Sequence, residues 1–207
     1  MNTEDSIRRS YENQAGEYVW KFEHREDVAK YKLDTAAEIV SRLKRYSPQS
    51  MLEAGVGEAT VLFRVLQLMP LVRASGLDLG PQRLKWAKKW LQSHGLDAEL
   101  IEGGMSAIPM PDRSFDAVYT SHAIEPNGGN ERTLLRELVR VARRCVVLVE
   151  PSYEIAGPDG KARMESLGYC KGLESIARSE GWNVVEHAPL LIGGNPLNPP
   201  AITVIEI

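Results

Sequence analysis

The stretch LEAGVGEAT, Leu52 to Thr60, sets a carboxylate, Glu53, two residues ahead of Gly55, with Gly57 close behind. Glycines at this spacing let backbone come close to a ligand, and a carboxylate beside them favours a cationic group over a phosphate. A dinucleotide loop of the GxGxxG type wants its third glycine where this chain has Thr60, so a pyrophosphate ligand is disfavoured on both counts. Farther along, His122 and Glu125 in SHAIEP, and Glu150 and Tyr153 in EPSYE, offer side chains for proton transfer. An imidazole with an unperturbed pKa near ~6.5 suits a base at neutral pH. Asp78 closes VRASGLDL just before Gly80-Pro81, where it reads either as a ligand group or as the cap of the next helix. Cys145 and Cys170 form no CxxC pair and have no histidine at ligand spacing, so reduced thiols are expected and no metal.

These groups fall at the junctions of a repeating pattern. Ala36, Ala37, Ile39, Val40 and Leu43 recur at helical spacing and predict a helix from about Thr35 to Tyr46, ended by Ser47-Pro48. A strand follows near Ser50 to Ala54, then the buried helix TVLFRVLQL stopped by Pro70, then the strand VRASGLDL. Pro81 opens the next helix, in which Leu84, Ala87 and Leu91 form one apolar face and Trp86 and Trp90 are expected to serve packing. DAELIEG and SFDAVYTS read as strands, and Asn130 as the cap of a helix with Leu134, Leu135 and Leu138 inward and Arg136, Arg140 and Arg143 outward. CVVLVE reads as a strand buried on both faces. Beyond it, one glycine-bearing helix is expected from about Ala162 to Glu180, then strands in WNVVEHAPLLI and AITVIEI that pair across GGNPLNPP. Strand and helix alternate, which is the pattern of a doubly wound α/β sheet, and such sheets bind ligands at the carboxyl ends of their strands.

With 207 residues, 43% hydrophobic and 26% charged, the chain has the composition of one globular domain. A net charge of −3 argues against broad capture of nucleic acid or an anionic membrane. No apolar run approaches the ~18 to 20 residues of a membrane span, and MNTEDSIRRS lacks the apolar centre of a signal peptide, so a cytoplasmic location is the expectation. A small-molecule acceptor suits the small size, and the chain is expected as a monomer or homodimer.

The ordered motifs resemble the class I S-adenosylmethionine-dependent methyltransferases, in the group that includes the quinone-biosynthesis enzymes. The family's acidic-x-Gly-x-Gly motif matches Glu53, Gly55 and Gly57, with Ala59 where a further glycine is common; its second-strand acid matches Asp78; and IPMPDRSFD, from Ile108 to Asp116, matches its third landmark. The resemblance implies that Glu53 holds the methionine ammonium of S-adenosylmethionine beside Ala54, Gly55 and Gly57. Asp78 would hold the ribose and Leu79 cover the adenine, with Met105 and Ser121 completing the wall. YENQAGEY is similar to the family's tyrosine-bearing lid, through Tyr11 and Tyr18. One departure stands out: where the family carries an aspartate that accepts from the adenine amino group, this chain has Gly104.

The resemblance therefore implies a mostly parallel sheet of about seven strands with helices on both faces and an antiparallel last strand. The single domain would divide into a helical lid (1–47), a cofactor core (48–152) and acceptor-side elements (153–207). The activity implied is methyl transfer to a small acceptor, leaving S-adenosylhomocysteine, with His122 and Glu125 as the catalytic pair. A non-catalytic cofactor-binding subunit of the same fold and a nicotinamide oxidoreductase are the alternatives.

Overall fold

In the computed structural model, which describes residues 4–207, three helices precede the first strand: α1 (Glu4–Glu12), α2 (Glu17–His24) and α3 (Glu26–Leu43). Strands and helices then alternate as β1 (Ser50–Ala54), α4 (Thr60–Leu68), β2 (Arg73–Asp78), α5 (Pro81–Ser93), β3 (Glu99–Glu102) and β4 (Phe115–Ser121). They continue as α6 (Glu131–Val141), β5 (Ala142–Pro151), α7 (Pro158–Ser166), α8 (Leu173–Ser179), β6 (Asn183–Pro189) and β7 (Pro200–Glu206). The sheet order is β3-β2-β1-β4-β5-β7-β6. The pairs from β3 through β5 are parallel, and β7 runs antiparallel to both β5 and β6.

Side-chain alternation along the central strands makes two apolar layers. Met51, Ala117, Tyr119 and Val147 face the layer containing α3, α4 and α5, while Leu52, Val118, Val146 and Leu148 face the layer with α6 and α8. Because both faces are covered, β1 and β4 are buried along their whole length, including the polar Glu53, Asp116, Thr120 and Ser121. This is the doubly wound seven-stranded sheet with an antiparallel β7 that the sequence predicts.

Several local expectations are corrected. The helix expected from Thr35 begins at Glu26, because its first half is polar on most faces and gives little apolar period. The single helix expected over 162–180 is two, α7 and α8, separated where Gly168 and Gly172 both adopt φ 65°. Asn130 makes no side-chain capping bond; Glu131 instead accepts from the backbone N–H groups of Gly129 and Lys171. Arg143 lies on β5 rather than on the outer face of α6, and it flanks Asp116 together with Arg144. Trp90 packs in the core against Phe22 and Phe63, whereas Trp86 is part-exposed.

Candidate active site

The loop after β1 turns through left-handed backbone, with φ 79° at Gly55, 55° at Gly57 and 60° at Ala59. Gly55 and Val56 both donate their N–H groups to the carbonyl of Leu77 at 2.8 Å, which pins the loop to β2. Asp78, at the end of β2, accepts from Gly57 N–H at 2.8 Å and from Gly80 N–H at 2.9 Å, one on each carboxylate oxygen. The ligand and helix-cap readings of Asp78 are thus compatible, since it braces the turn into α5 while lining a cavity. That cavity, about 280 Å³, opens at the carboxyl ends of β1, β2 and β4. The glycines are needed for packing here: a side chain at Gly55 would collide with Ala123, and one at Gly57 with the Arg83 guanidinium. Glu53, Gly55, Asp78, Leu79, Met105, Ser121, His122, Glu125, Tyr11 and Tyr18 line the cavity, and Ala54, Gly57 and Gly104 are not among its lining residues.

Glu53 is 2% exposed and accepts the Tyr119 phenol at 3.0 Å. Burial raises its carboxyl to about 8, against the pull of that hydrogen bond and of the Lys32 ammonium. Lys32, on α3, shares the cavity wall, and burial pushes it down in turn while Glu53 and Glu125 pull it up. The two groups give the cavity a polar end. Nothing in YKLD distinguishes a cavity-facing lysine from a solvated one, so Lys32 is a site residue that sequence reasoning missed.

A second cluster forms where β4 ends. His122 sits in left-handed backbone at φ 52°, a conformation a non-glycine residue holds only when its surroundings enforce it. Glu150 supplies that enforcement: its buried carboxylate accepts from Ala123 N–H at 3.1 Å and from Ile124 N–H at 3.2 Å. Burial, then repulsion from Glu125, lifts Glu150 to about 7. His122 Nδ1 lies 3.1 Å from Glu125 Oε2, and Nε2 lies 2.6 Å from the Tyr31 hydroxyl. With the Glu125 carboxyl oxygen facing Nδ1, the hydrogen-bond pattern assigns the ring proton to Nδ1 and leaves Nε2 as the acceptor of the Tyr31 hydroxyl, which burial keeps protonated. Tyr31 is a further residue the sequence did not flag. Tyr153 is apart from this cluster, donating to Glu165 at 2.7 Å, and His187 pairs with Thr203 on β6 and β7.

The N-terminal helices close over both clusters. Glu58, 1% exposed in the β1 loop, accepts from Gly16 N–H at 2.8 Å and Val19 N–H at 2.7 Å, satisfying the first turn of α2. Arg83 places its guanidinium 4.9 Å from the ring centres of both Tyr11 and Tyr18, and 3.6 Å from Asp78. No group of three or more metal-ligating side chains occurs among the described residues.

Residues 51–144 match the methyltransferase domain family. That segment, a little under half of the chain, has the sequence pattern of a methyltransferase domain. The match takes in the β1 loop, Asp78, IPMPDRSFD, His122 and Glu125, and leaves out Lys32, Tyr31 and Glu150. The demethylmenaquinone methyltransferase of Thermotoga maritima is 30% identical over 106 residues, which is 51% of this chain and 44% of that protein. The malonyl-[acyl-carrier protein] O-methyltransferase of Halorhodospira halophila is 27% identical over 65% of this chain and 43% of its own length. The chain therefore matches about half or less of the length of these relatives. The fold of the methyltransferase domain is shared, at 12% identity, with magnesium protoporphyrin IX methyltransferase of Synechocystis PCC 6803, solved with bound S-adenosylhomocysteine; the TM-score is 0.76 over 99% of each chain.

The cavity fits a zwitterionic, sulfonium-bearing nucleoside. A carboxylate and an ammonium, Glu53 and Lys32, can meet the amino-acid end, and Asp78 can accept from ribose hydroxyls. Ser121 and Arg83 both line the cavity, and each buries one polar atom, Oγ and Nε, without a hydrogen-bond partner among the described residues.

Proposed function

We propose that the chain transfers a methyl group from S-adenosylmethionine to a small-molecule acceptor whose O–H or N–H proton is removed through His122. The observation that carries this reading is the placement of Glu53, Asp78 and the His122–Tyr31 pair on the wall of one cavity at the sheet's carboxyl edge. Bound there, the cofactor supplies a methyl carbon already activated by the adjacent sulfonium. Glu53 balances the methionine ammonium, Lys32 its carboxylate, and Asp78 the ribose, while α1 and α2 act as the lid that excludes water. Tyr11 and Tyr18 belong to that lid, and Arg83 ties both to Asp78.

His122 Nε2, which accepts the Tyr31 hydroxyl in the tautomer set by Glu125, takes the acceptor's proton by way of that hydroxyl, which gives up its own proton to Nε2 as it receives the acceptor's. Glu150 keeps its place as a brace for the His122 turn. Methyl transfer is an in-line displacement, so holding acceptor and methyl carbon in register supplies much of the rate. The residues that line the cavity all fall between Glu4 and Asn127, so the acceptor side is shaped by the N-terminal helices and the turn after β4, and two buried free thiols, Cys145 and Cys170, agree with a reducing, cytoplasmic setting.

Labelled methyl transfer from S-adenosylmethionine to a panel of small phenols, carboxylic acids, thiols and amines tests the proposal. His122→Asn is expected to lower kcat by about 10² to 10⁴ with binding of S-adenosylhomocysteine retained. Transfer unchanged in that variant would remove His122 from the mechanism.

A further inference from the structure

The departure at Gly104 has a counterpart in the structure. A Cβ built on Gly104 would lie 2.6 Å from Oε1 of Glu4, so the space that a side chain at 104 would fill is held by the Glu4 carboxylate. Glu4 is carried there by α1, which is seated at three points. Ile7 is buried at 8% exposure, Glu12 accepts from Gln82 N–H at 2.9 Å, and Arg8 lies 3.8 Å from Glu102. Ser106, just beyond Gly104, donates its hydroxyl to Glu4.

Five carboxylates line the cavity, and four of them have a place in the reading above: Glu53 at the methionine ammonium, Asp78 at the ribose, Glu58 under the lid and Glu125 beside His122. Glu53 takes Tyr119, Glu58 takes two lid amides, Asp78 takes two loop amides, and Glu125 faces His122. Glu4 accepts one hydroxyl and keeps acceptor capacity to spare. It shares the wall with Ile7, Leu79 and Met105, apolar groups suited to the faces of a purine. An exocyclic amino group at the purine edge needs an acceptor once it leaves water.

We propose that Glu4, supplied by the lid helix, is the residue that selects the 6-amino group of the cofactor's purine in place of a side chain at 104. The proposal rests on the cofactor reading above. Its consequence is that purine selectivity and lid closure are one event: the cofactor engages Glu4 only with α1 in place, and bound cofactor in turn holds α1 down.

The test is calorimetric titration with S-adenosylhomocysteine and with S-inosylhomocysteine, in which the amino group is replaced by a carbonyl. Wild-type protein is expected to prefer the adenosyl ligand by roughly 10-fold or more, the size of a hydrogen bond to a charged acceptor. Glu4→Gln, whose amide can donate as well as accept, is expected to bring the two within about 3-fold at an unchanged Tm. Hydrogen exchange of residues 4–12 is expected to slow on addition of S-adenosylhomocysteine in wild type and to lose that slowing in Glu4→Gln. The double change Glu4→Ala with Gly104→Asp is expected to recover the preference without the α1 protection. A preference as large in Glu4→Gln as in wild type overturns the proposal and leaves the cofactor reading standing. Wild-type protein that binds neither ligand overturns both.

Discussion

Glu53 and Tyr119 stand opposite each other in the parallel β1–β4 register and share a buried hydrogen bond of 3.0 Å from phenol to carboxylate. With Glu53 raised to about 8, its carboxyl is mostly protonated at pH 7 in the free protein. A ligand ammonium favours the ionised form, so cofactor binding should expel that proton. Titration at pH 7 in buffers of different ionisation enthalpy is expected to show close to one proton released. Glu53→Gln should abolish the release and weaken binding roughly 10- to 100-fold, the range for a lost charged hydrogen bond. Proton release that persists in the variant would assign it to another group.

The same group sets a pH dependence of stability. The folded-state pKa lies above the ordinary 4.5, so the contribution of Glu53 is complete below that value. It is lost as pH rises from there through about 8, because the unfolded chain ionises first. Glu150, raised to about 7, acts in the same direction over a narrower window. Glu53→Gln keeps an acceptor for Tyr119 and removes the titration. Its gain in stability should be near zero at pH 4 and about 1 kcal/mol or more at pH 8, or roughly 2–4 °C in Tm for a chain of this size. A Tm difference that does not change with pH would contradict the assigned direction.

Glu58 joins the β1 loop to α2 by accepting two backbone N–H groups at the helix start. Glu58→Ala leaves both without a partner, at a cost of about 1–3 kcal/mol for each that stays buried. Urea unfolding is expected to register the loss, and proteolysis near residues 13–17 should accelerate. Unchanged cleavage there would show that α2 is held by its apolar contacts alone.

Gly57 combines φ 55° with a guanidinium lying against it. Gly57→Ala is expected to destabilise by about 1–2 kcal/mol through left-handed strain and to displace Arg83 from between Tyr11 and Tyr18. Near-ultraviolet circular dichroism reads that displacement as a change in tyrosine environment. A spectrum and Tm equal to wild type would remove the packing reason for this glycine.

The core of the sheet was legible because β1, β4 and β5 announce themselves as apolar runs bounded by Gly, Pro and Ser, and the family resemblance followed from the order of Glu53, Asp78 and IPMPDRSFD. The last motif serves structure: Arg140 bonds the carbonyls of Ile108 and Met110 and the Asp112 carboxylate, and Asp116 accepts from Gln49 and Ser50 N–H. What the sequence could not place were the cavity groups carried by the N-terminal helices. Glu4, Tyr31 and Lys32 are distant in sequence from the strand ends they meet, and on a polar helix a residue that faces a cavity has the same pattern as one that faces water. The break between α7 and α8 was missed for a related reason, since a glycine inside a helical run does not by itself say which way the chain turns.

The central claim is that the cavity between the β1 loop and the N-terminal helices is an S-adenosylmethionine site. Isothermal titration of the wild-type chain with S-adenosylmethionine, S-adenosylhomocysteine and NAD tests it most directly. Saturable one-to-one binding of the first two, with no heat from NAD, is the expected result. NAD binding in preference, or no binding of either sulfur-containing ligand at high micromolar concentration, would contradict it.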